Sequence, residues 1–200
     1  MILCEIGLRG ISPYSQSAPF QSLKNKGEAD DAYDQRVWRE HMTCDDPKAE
    51  NPQVCIPPMA IKKSLEMIAA FKGEKTKGSA TWSKHFVSGI LCMDFVPLMN
   101  GAGKPIRRND VTGERLYMSS TGDKKGGKRV WRIYPRIEAG WQGTAKLFLI
   151  DEKLQQDPAK VNEYMSDAGA LIGVGRFRPE RGGFYGRFEV TSFTSKKYAK

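Results

Sequence analysis

The chain has 200 residues, of which 40% are hydrophobic, and its formal net charge is +9 at pH 7. This length and apolar content suffice for one domain with its own core. The positive charge favours a polyanionic partner, because fixed cations release the counterions of phosphate groups. No apolar run reaches the roughly 18–20 residues of a membrane span, so we expect a soluble, cytoplasmic protein without a membrane partner.

The first half of the chain predicts two strands followed by a helix. Alternate residues from Ile2 to Leu8 are apolar, which is typical of a half-buried strand. Residues 24–34 are polar and predict a mobile surface segment, whereas residues 35–44 are typical of an edge strand. Apolar residues at helical spacing between Pro58 and Gly73 predict a helix.

The near-continuous apolar run at 86–96 predicts a central strand. Residues 97–128 lack periodicity and contain repeated turn signals, so they form a long insertion. Two strands at 129–137 and 144–150 and a helix capped by Asp157 and Pro158 follow. A last strand at 184–193 completes the order.

This order predicts an α+β fold with a ferredoxin-like, RRM-like β-α-β-β-α-β core. We expect residues 1–200 to form a single domain, with insertions at about 12–54 and 97–128. RNA-recognition folds use the same frame to hold single-stranded nucleic acid.

The tract at 169–188 combines glycine, arginine and aromatic residues. Glycine lets a backbone approach a ligand closely, arginine binds phosphate with two donors, and aromatic rings stack on bases. A glycine-rich hairpin with its aromatic residues in the core has a similar composition. The candidate nucleic-acid-binding residues of the tract are Arg176, Phe177, Arg178, Arg181, Tyr185 and Arg187.

A second basic block begins in the long insertion and continues along the next predicted strand. Such a block provides phosphate contacts, although a solubilising hairpin tip has the same pattern. Its candidate residues are Lys124, Lys125, Lys128, Arg129 and Arg132.

Metal and nucleotide motifs are poorly supported. Residues 122–129 (GDKKGGKR) have Arg129 where a P-loop requires Ser or Thr, and a strand-like segment follows. The group His41, Cys44 and Cys55 offers zinc ligands, but their spacing matches no closed zinc knuckle. The expected state of the cysteines is reduced thiols, and we predict no cofactor.

Two motifs resemble the RAMP superfamily, which supplies the backbone subunits of CRISPR effector complexes. CIPPMAIKKSL at 55–65 is similar to the Ile-Pro-Gly-Ser-Ser-Leu-Lys-Gly motif at the start of the first helix of those proteins, with Lys62 at the position of the family lysine. LIGVGRFRPERGGFYGRF at 171–188 is similar to their glycine-rich loop and lies between the second helix and the last strand. The resemblance implies a bacterial or phage-type protein that coats single-stranded nucleic acid. It also implies that Lys62 contacts the sugar–phosphate backbone of that nucleic acid.

The sequence therefore predicts a non-enzymatic binder of single-stranded nucleic acid, with RNA favoured over DNA. Its expected partners are the strand and either further copies of itself or a multisubunit complex. One alternative is a metal-dependent endoribonuclease of the same fold that uses Asp30, Asp31 or Asp34. Another is a structural or phage assembly protein whose basic faces bind an acidic protein.

Overall fold

An antiparallel sheet with two long helices on one face forms the centre of the computed structural model, which describes residues 1–76, 80–119 and 129–198. The strands are β1 Ile2–Gly10, β2 Cys55–Ile56, β3 Ile90–Leu91, β4 Val96–Pro97, β5 Thr112–Ser119, β6 Arg129–Arg136, β7 Gln142–Leu149 and β8 Phe188–Lys197. The α-helices are α1 Asp30–Val37, α2 Pro58–Lys72, α3 Trp82–Gly89, α4 Glu152–Gln156 and α5 Ala159–Leu171. Short 3₁₀ turns occur at Trp38–His41, Arg108–Asp110 and Pro179–Arg181.

The central sheet has the strand order β3-β7-β1-β8, and each neighbouring pair is antiparallel. Along the chain, β1, α2, β3, β7, α5 and β8 follow one another in the β-α-β-β-α-β order. The ferredoxin-like prediction is therefore confirmed. Cys4, Ile6 and Leu8 are buried on one face of β1, as the period of two indicates.

The two helices that cover this face follow their predicted patterns. Ile61, Leu65 and Ile68 of α2 are buried, and Gly73 ends the helix with a φ of 57°, a conformation that glycine adopts without strain. On α5, the predicted face is buried in the same core. The helices thereby fix where the loops at the ends of the sheet lie.

The predicted central strand at 86–96 is wrong. Its first part belongs to α3, and only the two residues of β3 join the sheet, at its edge. Trp82 is half-buried, and Phe86 and Gly89 are buried on one side of α3. A short apolar run does not distinguish a buried helix from a buried strand.

Two further predicted strands are placed differently. Residues 35–44 form the end of α1 and a 3₁₀ turn instead of an edge strand, and α1 also includes part of the polar segment at 24–34. The strand at 129–137 corresponds to β6, which pairs with β5 in a separate hairpin and not with β7. The last strand begins four residues later than predicted, at Phe188. The single-domain assignment with its two insertions stays a prediction.

Within the described ranges, no helix has both the length and the hydrophobicity needed to cross a bilayer.

We predict that Gly169→Ala destabilises the fold, because a Cβ at Gly169 of α5 would lie 2.1 Å from the carbonyl oxygen of Phe188 in β8. Overpacking of this kind costs about 1–3 kcal/mol. Urea unfolding of the variant measures the loss. The control is Gly101→Ala, where the nearest atom is 3.9 Å from the new Cβ; equal unfolding midpoints for the two variants would contradict the close packing.

Candidate functional site

The segment between α5 and β8, residues 172–187, forms a loop that we call the glycine-rich loop. Its glycines allow main-chain contacts that a side chain would prevent. A Cβ at Gly175 would lie 2.3 Å from the carbonyl oxygen of Ser15, and one at Gly186 would lie 1.8 Å from that of Val174. Both glycines also have positive φ values. Close main-chain packing therefore holds the two ends of the loop together and holds the loop against the segment that follows β1.

An open cavity of about 830 Å³ lies beside this loop, and we call it the loop cavity. It is bounded by the glycine-rich loop, by the start of α2 and by residues 14–18. The two sequence motifs that resemble RAMP proteins therefore meet at one site. Its lining residues are Tyr14, Gln16, Ser17, Ala18, Thr43, Pro57, Ala60, Gly175, Arg176, Phe177, Arg178, Arg181, Gly182 and Gly183.

Arg176 is the most unusual side chain of the loop cavity. The guanidinium carbon lies 3.8 Å from the centroid of the Tyr134 ring and 4.7 Å from that of Phe177. Its Nε is buried and lacks a hydrogen-bond partner within the described structure. Burial lowers the pKa of Arg176, yet a guanidinium remains charged. A ligand acceptor would satisfy this cation.

Arg178 and Arg181 share one carboxylate. Glu180 Oε2 lies 2.9 Å from Arg178 Nη2 and 3.0 Å from Arg181 Nε, and Arg178 Nη1 also donates to the carbonyl oxygen of Gly175 at 2.9 Å. Two cations are therefore opposed by one anion. The Arg181 side chain is 69% exposed, so it is accessible to a ligand.

The aromatic candidates differ in exposure. Tyr185 is buried, and its hydroxyl donates to Glu114 Oε2 at 2.7 Å and accepts from Arg136 Nη1 at 3.2 Å. Burial, together with the Glu114 carboxylate, raises the pKa of Tyr185 to about 12. Tyr185 thus ties the glycine-rich loop to β5 and β6. Phe177 lines the loop cavity, and its φ is 57°.

The other candidates lie away from the loop cavity or outside the description. Lys62 faces Glu66 one turn along α2, at 3.9 Å. Arg187 and Arg129 are exposed, and the backbone amide of Arg187 donates to Ser12 Oγ. Lys124, Lys125 and Lys128 lie outside the described residues.

Arg132 forms an ion pair with Asp34 at 2.8 Å. The Asp34 side chain is only 3% exposed, and its Oδ2 is buried without a partner in the described structure. The guanidinium of Arg132 thus compensates a buried charge, which joins α1 to β6.

The carboxylates proposed for a nuclease are directed to different cations. Asp30 contacts Lys24 Nζ at 2.6 Å, whereas Asp31 contacts Arg115 Nη2 at 2.9 Å. Asp34 is held by Arg132. Among residues 1–76, 80–119 and 129–198, no three His, Cys, Asp or Glu side chains are grouped so as to hold a metal ion.

The candidate zinc ligands have other contacts. The His41 ring packs between Phe20, in a tilted contact with a centroid separation of 4.2 Å, and Tyr134, on which it stacks at 5.0 Å. Cys44 and Cys55 are buried thiols, and burial raises the pKa of Cys55 to about 12. Burial also raises the pKa of Cys44, so burial favours the protonated form of both thiols.

The sequence interpretation missed the contribution of the loop after β1. Gln16 is buried, and its Nε2 donates to Tyr14 Oη at 2.8 Å and to the carbonyl oxygen of Cys55 at 2.7 Å. Its Oε1 accepts from the amide of Thr43. This glutamine fixes one wall of the loop cavity. A polar residue in a Ser/Pro/Gln-rich loop gives no signal of such a position.

Neither the models of known protein families nor the curated proteins include a match to this chain. Solved structures do match. The chain is similar to a chain in the cryo-EM structure of the Type III-B Cmr-beta bound to cognate target RNA, with 12% identity and a TM-score of 0.54 over 98% of this chain and 61% of that one. It is similar to a chain of a Type IV-B CRISPR complex, with 11% identity and a TM-score of 0.51 over 99% of this chain and 92% of that one.

Cmr6 from Pyrococcus furiosus matches with 11% identity and a TM-score of 0.49, over 96% of this chain and 98% of that one. The conclusion on the fold rests on the other two structures. The protein has the fold of RAMP-type CRISPR subunits, so the resemblance stated from the sequence is confirmed at the level of the fold.

We predict that Arg132→Gln lowers the free energy of unfolding, because it leaves the carboxylate of Asp34 buried without its cation. Removing one partner of a fully buried ion pair costs about 3–5 kcal/mol. The loss here should be smaller, since the Arg132 side chain is 29% exposed. Urea unfolding measures it, with the exposed Arg129→Gln as the control on the same strand.

Adding Asp34→Asn to Arg132→Gln should restore part of the stability, because the uncompensated charge is then removed. A wild-type unfolding midpoint for Arg132→Gln would show instead that the pair adds nothing to the fold and that Arg132 is available to a ligand.

Proposed function

We propose that this protein is a non-enzymatic binder of single-stranded nucleic acid, with RNA favoured over DNA, and that the loop cavity holds the sugar–phosphate backbone. The observation that carries the proposal is the guanidinium of Arg176. It is partly buried at the cavity wall, and its Nε has no hydrogen-bond partner in the described structure. Phosphate oxygens are the acceptors that suit such a cation.

The surroundings of Arg176 favour a polyanion in several ways. Arg178 and Arg181 add two cations against the one carboxylate of Glu180. Glycines in the loop let a phosphate approach the main chain. The positive end of the α2 dipole lies at the same cavity, because Pro57 and Ala60 line it.

The fold supports the same function and the preference for RNA. One matched structure is described as bound to cognate target RNA, and the chain spans 61% of that matched chain.

We further propose that copies of the chain, or related subunits, assemble along the strand. The hairpin of β5 and β6 presents two aromatic side chains to solvent, Tyr117 at 53% and Trp131 at 45% exposure. Their ring centroids are 5.1 Å apart. Exposed apolar surface of this kind is typical of contact sites.

Binding should be electrostatic and tolerant of sequence. For about 4–8 neutralised phosphates, log affinity should fall against log salt with a slope of about −3 to −6. Arg181→Ala should make the slope less steep by about 0.7 and weaken binding, because one phosphate contact is lost. Fluorescence anisotropy with a labelled oligouridylate measures both quantities.

The matched control is Lys63→Ala, which removes an exposed cation on α2 that does not line the loop cavity. Glu180→Gln should raise the affinity, because it removes the anion that competes for Arg178 and Arg181. An affinity that does not respond to salt, or equal losses for Arg181→Ala and Lys63→Ala, would refute the loop cavity as the binding site.

Incubation with Mg²⁺ or Mn²⁺ should leave labelled single-stranded RNA intact, because the three candidate carboxylates are each directed to a different cation. Gel electrophoresis of the RNA checks this outcome. Cleavage that Asp30→Ala, Asp31→Ala or Asp34→Ala abolishes would favour the endoribonuclease alternative.

Assembly should follow strand length, because a head-to-tail interface whose rotation does not close a ring adds copies along the strand: strands of about 10, 20 and 40 nucleotides should give stepwise larger particles. Light scattering measures their size, and Trp131→Ser should reduce it. A one-to-one complex at every length would remove the assembly proposal, and binding of acidic proteins in place of RNA would favour the structural alternative.

A further inference from the structure

A second cavity, of about 410 Å³, adjoins the loop cavity, and we call it the Arg108 cavity. The two cavities share Ala18 and Thr43 as wall residues. A strand that leaves the loop cavity on this side would therefore enter the Arg108 cavity.

Arg108 lies in the 3₁₀ turn that precedes β5, and its guanidinium is poorly satisfied. Its Nη2 donates to Cys44 Sγ at 3.6 Å, and sulfur is a weak acceptor. Its Nε is buried and has no hydrogen-bond partner in the described part of the chain. Buried donors are normally paired, so an unpaired one is available to an acceptor that binds there.

The nearby carboxylates do not satisfy Arg108. Glu40 lines the Arg108 cavity, but its oxygens accept from the amides of Gln21 and Ser22 at 2.7 and 2.9 Å and from the Ser22 hydroxyl. Asp45 Oδ1 accepts from the amides of Asp46 and Gln53. Within the described residues, the recorded hydrogen bonds of both carboxylates are to these groups and not to Arg108.

The same cavity contains an aromatic ring. Phe95, which directly precedes β4, lines it and is 46% exposed. An aromatic ring at a cavity wall beside a guanidinium provides a stacking surface for a base. The cavity thus combines a guanidinium that can donate hydrogen bonds to a phosphate with an aromatic ring on which a base can stack.

We propose that the Arg108 cavity is a second nucleotide subsite, in which Arg108 binds a phosphate of the strand and Phe95 stacks on a base. This inference rests on the proposed function, because the strand reaches the subsite from the loop cavity. It extends the contact surface from the glycine-rich loop to the base of the β5–β6 hairpin.

The test uses the whole chain and a labelled oligouridylate of about 12 nucleotides, with affinities measured over a range of salt. Arg108→Gln should weaken binding by about fivefold or more and make the slope less steep by about 0.7. Phe95→Ala should weaken binding without changing the slope, because stacking releases no counterions. The control is Lys104→Gln, which removes an exposed cation on the same segment that does not line the cavity.

Thermal unfolding checks that each variant is folded. If Arg108→Gln does not fold, Arg108→Lys and Phe95→Ala are tested instead. Arg108→Lys should retain the wild-type slope of log affinity against log salt, and Phe95→Ala should still weaken binding. Equal affinities and slopes for Arg108→Gln, Phe95→Ala and Lys104→Gln would overturn the second subsite.

The outcome separates this inference from the proposed function. If wild-type protein binds the oligouridylate and Arg181→Ala weakens binding, but the Arg108 and Phe95 variants do not, only the second subsite is overturned. If the wild-type protein binds no single-stranded nucleic acid, the proposed function is refuted, and the subsite with it.

Discussion

The contact between the glycine-rich loop and the segment after β1 holds the candidate site together. Gly175 lies so close to the carbonyl oxygen of Ser15, and Gly186 to that of Val174, that no side chain fits at either position. Hydrogen bonds from the Arg176 amide to Ser15 and from the Gly186 amide to Pro13 join the same two segments. The positions of Arg176 and its neighbours follow from this packing.

A fixed loop changes what the arginines do. A guanidinium on a flexible tail binds any anion it meets, whereas Arg176 is held against the Tyr134 ring with an unsatisfied donor. Part of the cost of ordering a cation for a phosphate contact is therefore met when the chain folds. Arg132 shows the opposite use of the same residue type, because its charge compensates the buried Asp34.

Local sequence patterns were reliable where one periodicity extended over a whole element. The alternation in β1 and the helical faces of α2 and α5 indicated the correct structures, and together they carry the ferredoxin-like core. The run at 86–96 was misread, because α3 and β3 share it and a continuous apolar run has no period. The pairing of β6 with β5 was missed for a similar reason: none of the residues of β5 is buried, and no alternation of apolar residues marks that strand.

The sequence by itself determined the fold class, the order of the core elements and the tract in which arginine, glycine and aromatic residues meet. These properties depend on composition and on contacts between residues that are near in the chain. Only the tertiary structure decided which arginines are neutralised by a carboxylate. Arg132 pairs with Asp34, whereas Arg176 lies over the Tyr134 ring, and both contacts join residues that are far apart in the chain. The same holds for Gln16 and Arg108, whose roles arise from segments that adjoin only after folding.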